Sequence, residues 1–458
     1  MIRYIPLAAL LVSTPALSQS LPPVRPLGGT VARSTEPMGT VTTAIPMPGG
    51  KVLVNDILKR RVLLFDSTLS TFTVVADSTS STANAYGNRN GGLLSYRGDS
   101  ALFVDPSSMS MLVINPEGKI TRVMAAPRPQ DVINLVGGPN GAPGFDPKGR
   151  LIYRTNPMPT RMVQQGGRGG AASPMVPDFP DTVPVVRFDL GTRTLDTAGF
   201  FKINRPQISV TTTANGGMMM SSKQNPIPIV DDWAMLSDGT VALVRGADYH
   251  IDWVAPDGTR SSSGKVPYEW QRLDDEGKAA LLDSARKEVE AARERMQAQM
   301  AAGGPVTVMA GGGGGASFEV GTRVAAGGGG GAPPARGGDA GRGGDGRGGD
   351  GRGAGPGGPR MELPPINMVN ADELPDYRPA FTAGSARGDH EGNLWVRTTS
   401  PVGNAGPIYF ILNTKGEVID RVQLPESRQL VGFGKSGEVF MALRDTDGNV
   451  RLERAKVR

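Results

Sequence analysis

The chain of 458 residues contains no cysteine and two histidines. Without cysteine it forms neither disulfides nor thiolate metal sites, and an N-terminal lipidated cysteine is excluded. The two histidines, His250 and His390, are predicted to lie on opposite faces of the fold, which argues against a zinc centre built from several histidines. Beyond the N-terminus, no run of about 18 apolar residues predicts a membrane-spanning helix. We therefore expect an apolar core to supply the stability.

Charge and catalytic motifs are also sparse. The 49 basic and 44 acidic residues nearly balance, and the arginines are spread along the chain, so we expect no nucleic-acid binding. No G-x-S-x-G motif is present, and Gly434-Lys435-Ser436 lacks the first glycine of a P-loop and precedes a predicted strand. The sequence therefore assigns no catalytic residue and predicts no cofactor.

The N-terminus has the layout of a secretory signal peptide. Arg3 precedes an apolar stretch, Ile5–Val12, and the small-residue pattern Ala16-Leu17-Ser18 follows. We predict a signal peptide over residues 1–18 and a mature chain over residues 19–458. Export to the periplasm or the extracellular space is the expected outcome.

A strand–turn–strand pattern recurs along the chain. Its clearest copy is Asp231–Thr259, where two alternating apolar runs are bounded by Asp238-Gly239 and Pro256-Asp257-Gly258, and glycine suits the tight turns of hairpins. Undisturbed neighbouring copies repeat at roughly 45 to 50 residues, the length of a four-stranded propeller blade. The six copies contain the segments 49–57, 101–106, 144–155, 231–259, 389–399 and 434–458.

The sixth copy stops before its fourth strand. A closed ring of sheets does not tolerate the open edge that this leaves. Gly28–Glu36 precedes the first copy and belongs to none. We predict that Thr30–Arg33 pairs with Val450–Val457 and completes the last sheet.

The repeat and its number resemble the six-bladed β-propellers of NHL-repeat and TolB-like proteins. The segment 244–259, VRGADYHIDWVAPDGT, resembles secreted bacterial members of that group. The predicted fold is an all-β, six-bladed β-propeller with an N-terminal strand closing the last blade, plus one helical and glycine-rich insert; seven blades are the alternative. Such propellers include lactonases, lyases and binding scaffolds, so the resemblance leaves the function open.

Three inserts interrupt the repeats: residues 156–182, 203–229 and 267–373. If the strands of each blade alternate in direction, all three emerge on one face, where recognition loops commonly lie. Residues 273–300 have helical periodicity, and residues 303–359 form a glycine-rich stretch that we expect to be a disordered linker instead of an RNA-binding segment. For the helix we predict an N-cap at Asp274 or Asp275 and the i,i+4 pairs Asp283–Lys287 and Arg286–Glu290.

The candidate ligand-binding residues are polar or aromatic residues at strand ends and loops of the insert-bearing face. Closure of a ring brings such strand ends from different blades together around one axis, where they can line a pocket. Seven residues meet this criterion: Asn55, Arg89, Asp231, Arg245, Tyr249, His250 and Arg378.

A calcium site is the alternative at the same place. Asn55 and Asp56, with Asp231 and Asp232, supply the oxygen ligands that calcium prefers, although such residues more often cap strands and turns. We therefore assign no metal. The expected function is an exported, monomeric scaffold that binds a small molecule or a protein, and the alternative is a calcium-type hydrolase or lyase.

Overall fold

Short strands joined by tight turns make up most of the computed structural model. It describes residues 21–79, 84–87, 89–138, 141–164, 175–205, 207–212, 218–301, 366–399 and 406–457. The predicted signal peptide and the predicted glycine-rich linker lie outside these residues.

Two short N-terminal strands, β1 (Val24–Pro26) and β2 (Thr30–Arg33), precede two antiparallel sheets whose four strands follow the sequence order. The 3-10 helix Pro48–Gly50 connects the first and second strands of sheet 1, and the 3-10 helix Pro129–Leu135 follows sheet 2. Sheet 1 contains β3 (Val41–Pro46), β4 (Val52–Asp56), β5 (Arg61–Phe65) and β6 (Phe72–Asp77). Sheet 2 contains β7 (Gly92–Ser95), β8 (Ala101–Asp105), β9 (Ser110–Ile114) and β10 (Ile120–Ala125).

Sheet 3 repeats this order but is interrupted by a hairpin between its second and third strands. A second hairpin follows the sheet. The strands are β11 (Gly144–Phe145), β12 (Arg150–Arg154), the hairpin β13 (Arg161–Gln164) and β14 (Met175–Asp178), then β15 (Thr182–Asp189) and β16 (Leu195–Lys202), and the second hairpin β17 (Gln207–Thr212) and β18 (Met218–Gln224).

Sheets 4, 5 and 6 complete the series. Sheet 4 contains β19 (Asp232–Met235), β20 (Val241–Arg245), β21 (His250–Val254) and β22 (Arg260–Ser262). Helix α1 (Asp275–Ala301), β23 (Asn367–Met368) and the 3-10 helix Ala371–Glu373 separate it from sheet 5. Sheet 5 contains β24 (Phe381–Gly388), β25 (Leu394–Thr398), β26 (Ile408–Leu412) and β27 (Val418–Gln423), and sheet 6 contains β28 (Arg428–Phe433), β29 (Glu438–Arg444) and β30 (Val450–Lys456).

The N-terminal strands join the last two sheets. β2 pairs antiparallel with β30, with Thr30 opposite Ala455, so the predicted pairing of this segment is confirmed. β1 pairs parallel with β27 and adds a fifth strand to sheet 5, which the sequence did not predict. The N-terminal strands therefore hydrogen-bond to the last two sheets of the chain.

Apolar side chains fill the spaces between consecutive sheets. Five buried clusters lie between sheets 1 and 2, 2 and 3, 3 and 4, 4 and 5, and 5 and 6. A sixth cluster, which includes Val54 and Phe440, lies between sheets 6 and 1. Gly432 lets the sheets of this last pair approach, since a Cβ there would lie 2.1 Å from the Ala44 carbonyl oxygen. This cyclic packing of small antiparallel sheets is that of a β-propeller.

The inserts contact one another. β18 of the second insert pairs parallel with β23 of the third, and Lys223 forms an ion pair with Glu373. Arg205 of the second insert forms an ion pair with Asp178 of the first. Together the inserts therefore form one connected structure.

Helix α1 begins at Asp275, two residues after the predicted start. The Asp274 carboxylate accepts the Gly277 N–H at 2.8 Å, so Asp274 is the N-cap. Asp283 approaches Arg286 at 3.6 Å, so its partner is one residue earlier in the helix than the predicted partner Lys287. The predicted helix end at Gly303 lies outside the described residues. No helix of the described segments is both long enough and apolar enough to cross a membrane.

Glu453 tests how much the closure of sheet 6 contributes to stability. Its fully buried carboxylate accepts Arg33 of β2 at 2.6 Å and Arg428 of β28 at 2.6 Å. We expect Glu453→Ala to lower the free energy of unfolding by about 3 kcal/mol, because two guanidinium groups lose their partner. Urea unfolding measures this, with Glu117→Ala in an exposed turn as the control. Equal losses in both variants would contradict the prediction.

Candidate functional site

The mouth edge is the edge of the ring at which the first strand of each sheet begins and the second strand ends. Antiparallel pairing places these two ends side by side. The first insert connects the second and third strands of sheet 3, and the second insert follows its fourth strand, so both leave the sheet at this edge.

Carboxylates at the mouth edge hold neighbouring backbone. Asp56, which ends β4, accepts the N–H groups of Gly39 and Thr40 at 3.0 and 3.2 Å and contacts Arg61 at 3.3 Å. Its oxygens are therefore committed to ordering the chain that enters β3, which is the capping role that the sequence offered as the alternative to calcium binding. In the described parts of the chain, no group of three or more His, Asp or Glu side chains is arranged to hold a metal ion.

Three of the predicted site residues come together between sheets 3 and 4. Arg245 donates to Asp231 at 2.8 Å and to Asp252 at 2.7 Å. Asp252 also approaches His250 at 3.4 Å, and His250 contacts Asp248 at 2.6 Å. Arg245 further donates to the Phe200 carbonyl of sheet 3. Through Arg245 this network links the two sheets.

The structure does not connect the other predicted residues to this network. The buried Asn55 donates to the Gly91 carbonyl at 2.7 Å, between sheets 1 and 2. Arg89 is exposed, and its backbone N–H donates to Ser107 Oγ at 3.0 Å. Arg378 lies between the third insert and β24, and its backbone N–H donates to the Gln271 carbonyl. The ligand-binding role of all these residues stays a prediction.

Tyr249 lies in the core between sheets 4 and 5. Its side chain is fully buried, and its ring is 5.5 Å from that of Phe381 and 5.8 Å from that of Tyr268. The backbone at Tyr249 has a φ of 53°, which turns the chain after β20 and directs the side chain inward. Burial raises the pKa of the hydroxyl. This placement gives the ring a packing role.

Asp232 joins sheets 4 and 5 at the mouth edge. Its buried carboxylate accepts the N–H of Ala386 in β24 at 2.8 Å and the N–H of the next residue, Trp233, at 2.9 Å. The backbone of Gly384 and Ser385 also hydrogen-bonds it. Burial raises the pKa of Asp232 to about 6, although these backbone donors act in the opposite direction.

Two arginines that the sequence analysis did not select, Arg154 and Arg387, lie near Asp232, and a third, Arg397, lies near Arg387. Burial lowers the pKa of Arg154, at the end of β12, to about 10, and the charge of Asp232 partly offsets this. Burial also lowers the pKa of Arg387 in β24, which feels Asp232 and the like charge of Arg397 in β25. We call Arg154, Asp232, Arg387 and Arg397 the mouth cluster. The sequence signal that could have identified the mouth cluster is the presence of charged residues within otherwise apolar strands.

The mouth cluster has more cations than anions. All three arginines keep part of their surface open, although protein surrounds Arg154 and Arg387 closely enough to lower the pKa of each. In the part of the chain that the structure describes, none of the three makes an ion pair with a carboxylate within 4 Å, and the buried Arg154 Nε has no hydrogen-bond acceptor. This combination is typical of side chains that face an interior space reached by water.

In the described structure, buried polar groups without a hydrogen-bond partner also occur near sheets 1, 2 and 3. Asn134, in the 3-10 helix before sheet 3, is buried, and neither its amide oxygen nor its amide nitrogen has a partner among the described residues. Asp131 of the same helix accepts the Tyr153 hydroxyl at 3.0 Å. The amide oxygen of Asn55 is likewise buried without a donor in the described segments. Buried polar groups of this kind need a partner that the described protein does not supply.

Asp232→Asn tests the burial of this carboxylate. The folded pKa of about 6 lies above the ordinary 3.8. Stability from the protonated carboxyl is therefore fully present below about pH 4 and is lost as the pH rises through 6. Between pH 4 and 6.5 this loss is about 2 kcal/mol in the wild type, and we expect it to be missing from the variant. Urea unfolding across this range measures the difference.

The matched control is Asp257→Asn, in an exposed turn. Hydrogen bonds from Thr259 lower the pKa of Asp257, so its removal does not reproduce the effect. If the wild type and Asp232→Asn lose the same stability between pH 4 and 6.5, Asp232 does not titrate in this range.

No family model and no curated protein matches the chain. Among solved structures, a gluconolactonase of Xanthomonas campestris is 8% identical with a TM-score of 0.38, covering 96% of this chain and 99% of that one. A virginiamycin B lyase of Staphylococcus aureus is 8% identical with a TM-score of 0.35, covering 92% and 99%. A PQQ-bound aldose sugar dehydrogenase of Streptomyces coelicolor is 13% identical with a TM-score of 0.36, covering 95% and 100%. Likeness at this level carries no argument about function, and the β-propeller fold rests on the sheet topology.

Proposed function

We propose that the chain is an exported, six-bladed β-propeller that binds a small polar molecule at the mouth edge. The six sheets, packed in a cycle that returns from the last to the first, support the blade number. The layout of residues 1–18 supports export.

The mouth cluster carries the proposal. Arg154 of sheet 3 and Arg387 of sheet 5 lie near a single carboxylate, Asp232, whose oxygens already accept backbone N–H groups, and Arg397 lies near Arg387. Retaining charged groups inside a protein without a partner is costly, so a fold that keeps several of them together gains most when another molecule pairs with them. The rigid strands that hold these side chains fix their positions before a ligand arrives.

Binding is favoured over metal-dependent hydrolysis because the three carboxylates among the four candidate calcium ligands are otherwise engaged. Asp56 orders the entry to β3, Asp231 accepts Arg245, and Asp232 accepts the backbone of β24. A calcium ion would have to displace these donors. The hydrolase or lyase remains the alternative function, and a calcium titration separates the two.

Thermal unfolding in the presence of defined molecules tests the proposal. Glucose, putrescine, succinate, inorganic phosphate and calcium chloride are each added alone. We expect at least one of the first four to raise Tm by a few degrees, since a ligand at 100 times its Kd stabilises the folded state by about 2.7 kcal/mol. The same shift should be lost in Arg154→Met, which removes one cation of the mouth cluster.

Lys119→Met, in an exposed turn of sheet 2 at the opposite edge, is the control and should keep the full shift. If none of the first four molecules shifts Tm, or if the shift persists in Arg154→Met, binding at the mouth cluster is wrong. A calcium shift that disappears in Asn55→Leu would instead support the hydrolase or lyase.

A further inference from the structure

We infer that Arg387 and Arg397 form the binding site for an oxyanion group, a carboxylate or a phosphate, of the molecule bound at the mouth cluster. Arg387, one residue before the end of β24, lies deeper in the ring than the mouth edge. This inference rests on the proposed function and names the chemical class of its ligand. It adds the two residues of sheet 5 that would contact the charged end of that ligand.

The strand register places both guanidinium groups on one face of sheet 5. Arg387 in β24 lies opposite Trp395 in β25. Arg397 follows two residues after Trp395, and side chains two residues apart on a strand point to the same face. The two arginines are therefore diagonal cross-strand neighbours, a spacing that long side chains bridge. Tyr409, opposite Arg397 in β26, lies on the same face.

Two side chains of like charge on neighbouring strands repel each other, which destabilises the sheet. The carboxylate that acts on Arg387 is Asp232, which is held by the backbone of the same strand, β24. The Tyr409 ring is buried beside the pair, and its hydroxyl hydrogen-bonds the Leu430 backbone of sheet 6. Within the described residues, the face that carries two cations therefore offers no anion that pairs with both.

Sheet 6, which packs on this face, does not supply the missing charge. The fully buried carboxylate of Glu453 in that sheet accepts Arg33 through one oxygen and Arg428 through both. The segment that follows Arg397 in sequence, residues 400–405, contains no Asp or Glu. Among the described residues no ion pair joins Arg387 or Arg397 to a carboxylate, so an anion from outside the chain can pair with both.

The donor geometry selects an oxyanion over a halide or a neutral polar group. Each guanidinium group presents several N–H donors in a planar fork, which matches two oxygens of a carboxylate or phosphate. Two forks on one face can divide the oxygens of a single group between them. Both residues are partly exposed.

Isothermal titration calorimetry with inorganic phosphate, succinate and the neutral probe glucose tests the inference. We expect phosphate or succinate to bind the wild type and glucose not to bind. Arg387→Met and Arg397→Met should each weaken oxyanion binding at least tenfold, since each removes charge-assisted hydrogen bonds. Arg122→Met, on the exposed outer strand β10, removes the same charge and should change the affinity less than twofold.

The thermal stability of the ligand-free variants provides a second readout. Because the two cations lack a carboxylate partner, replacing either with Met should keep or raise Tm. A fall of Tm in both variants would identify the arginines as structural and overturn the inference. Equal weakening in Arg122→Met would do the same, because it would reflect only net charge.

The experiment also separates this inference from the proposed function. If glucose or putrescine binds the wild type in a manner that depends on Arg154, and neither phosphate nor succinate binds, the oxyanion class is wrong while binding at the mouth cluster stands. If none of these molecules binds, both fail.

Discussion

Packing of each sheet against the next, and of the last sheet against the first, is the constraint on which the rest of the structure depends. A four-stranded sheet with apolar residues on both faces must cover both of them. Val54 therefore faces the cluster shared with sheet 6, and its neighbour Leu53 faces the cluster shared with sheet 2. The chain must then supply a fourth strand to sheet 6 from its own N-terminal region, and β2 does so beside β30.

The same packing determines the chemistry of the mouth edge. It brings strand ends of different sheets together and removes their polar groups from solvent, so each group needs a partner. Most carboxylates there satisfy the demand locally, as Asp56 does with the chain entering β3 and Asp231 with Arg245. The arginines of the mouth cluster differ because they outnumber its one carboxylate, and the proposed binding site rests on this excess of positive charge.

The sequence predicted the repetitive features of this fold and missed those that depend on tertiary contacts. The closing strand was predictable because the sixth copy stops early, and the association of Asp231 with Arg245 followed from their places at adjacent strand ends. β1 is three residues long and contains proline, so no periodicity marks it. Tyr249 follows a strand and was interpreted as a site residue, but a positive φ turns its ring into the core. In the sequence Arg387 resembles an ordinary strand residue. That it forms no ion pair with a carboxylate of the described residues depends on how sheets 4, 5 and 6 pack, which the sequence does not show.

The central claim is that the excess positive charge of the mouth cluster holds an oxyanion. The most direct measurement is an anomalous difference map from crystals of the full chain soaked in sodium selenate, an analogue of sulfate and phosphate. The account predicts the strongest selenium peak within hydrogen-bonding distance of the guanidinium groups of Arg387 and Arg397. Selenium peaks confined to exposed arginines such as Arg122, with none between Arg387 and Arg397, would contradict it.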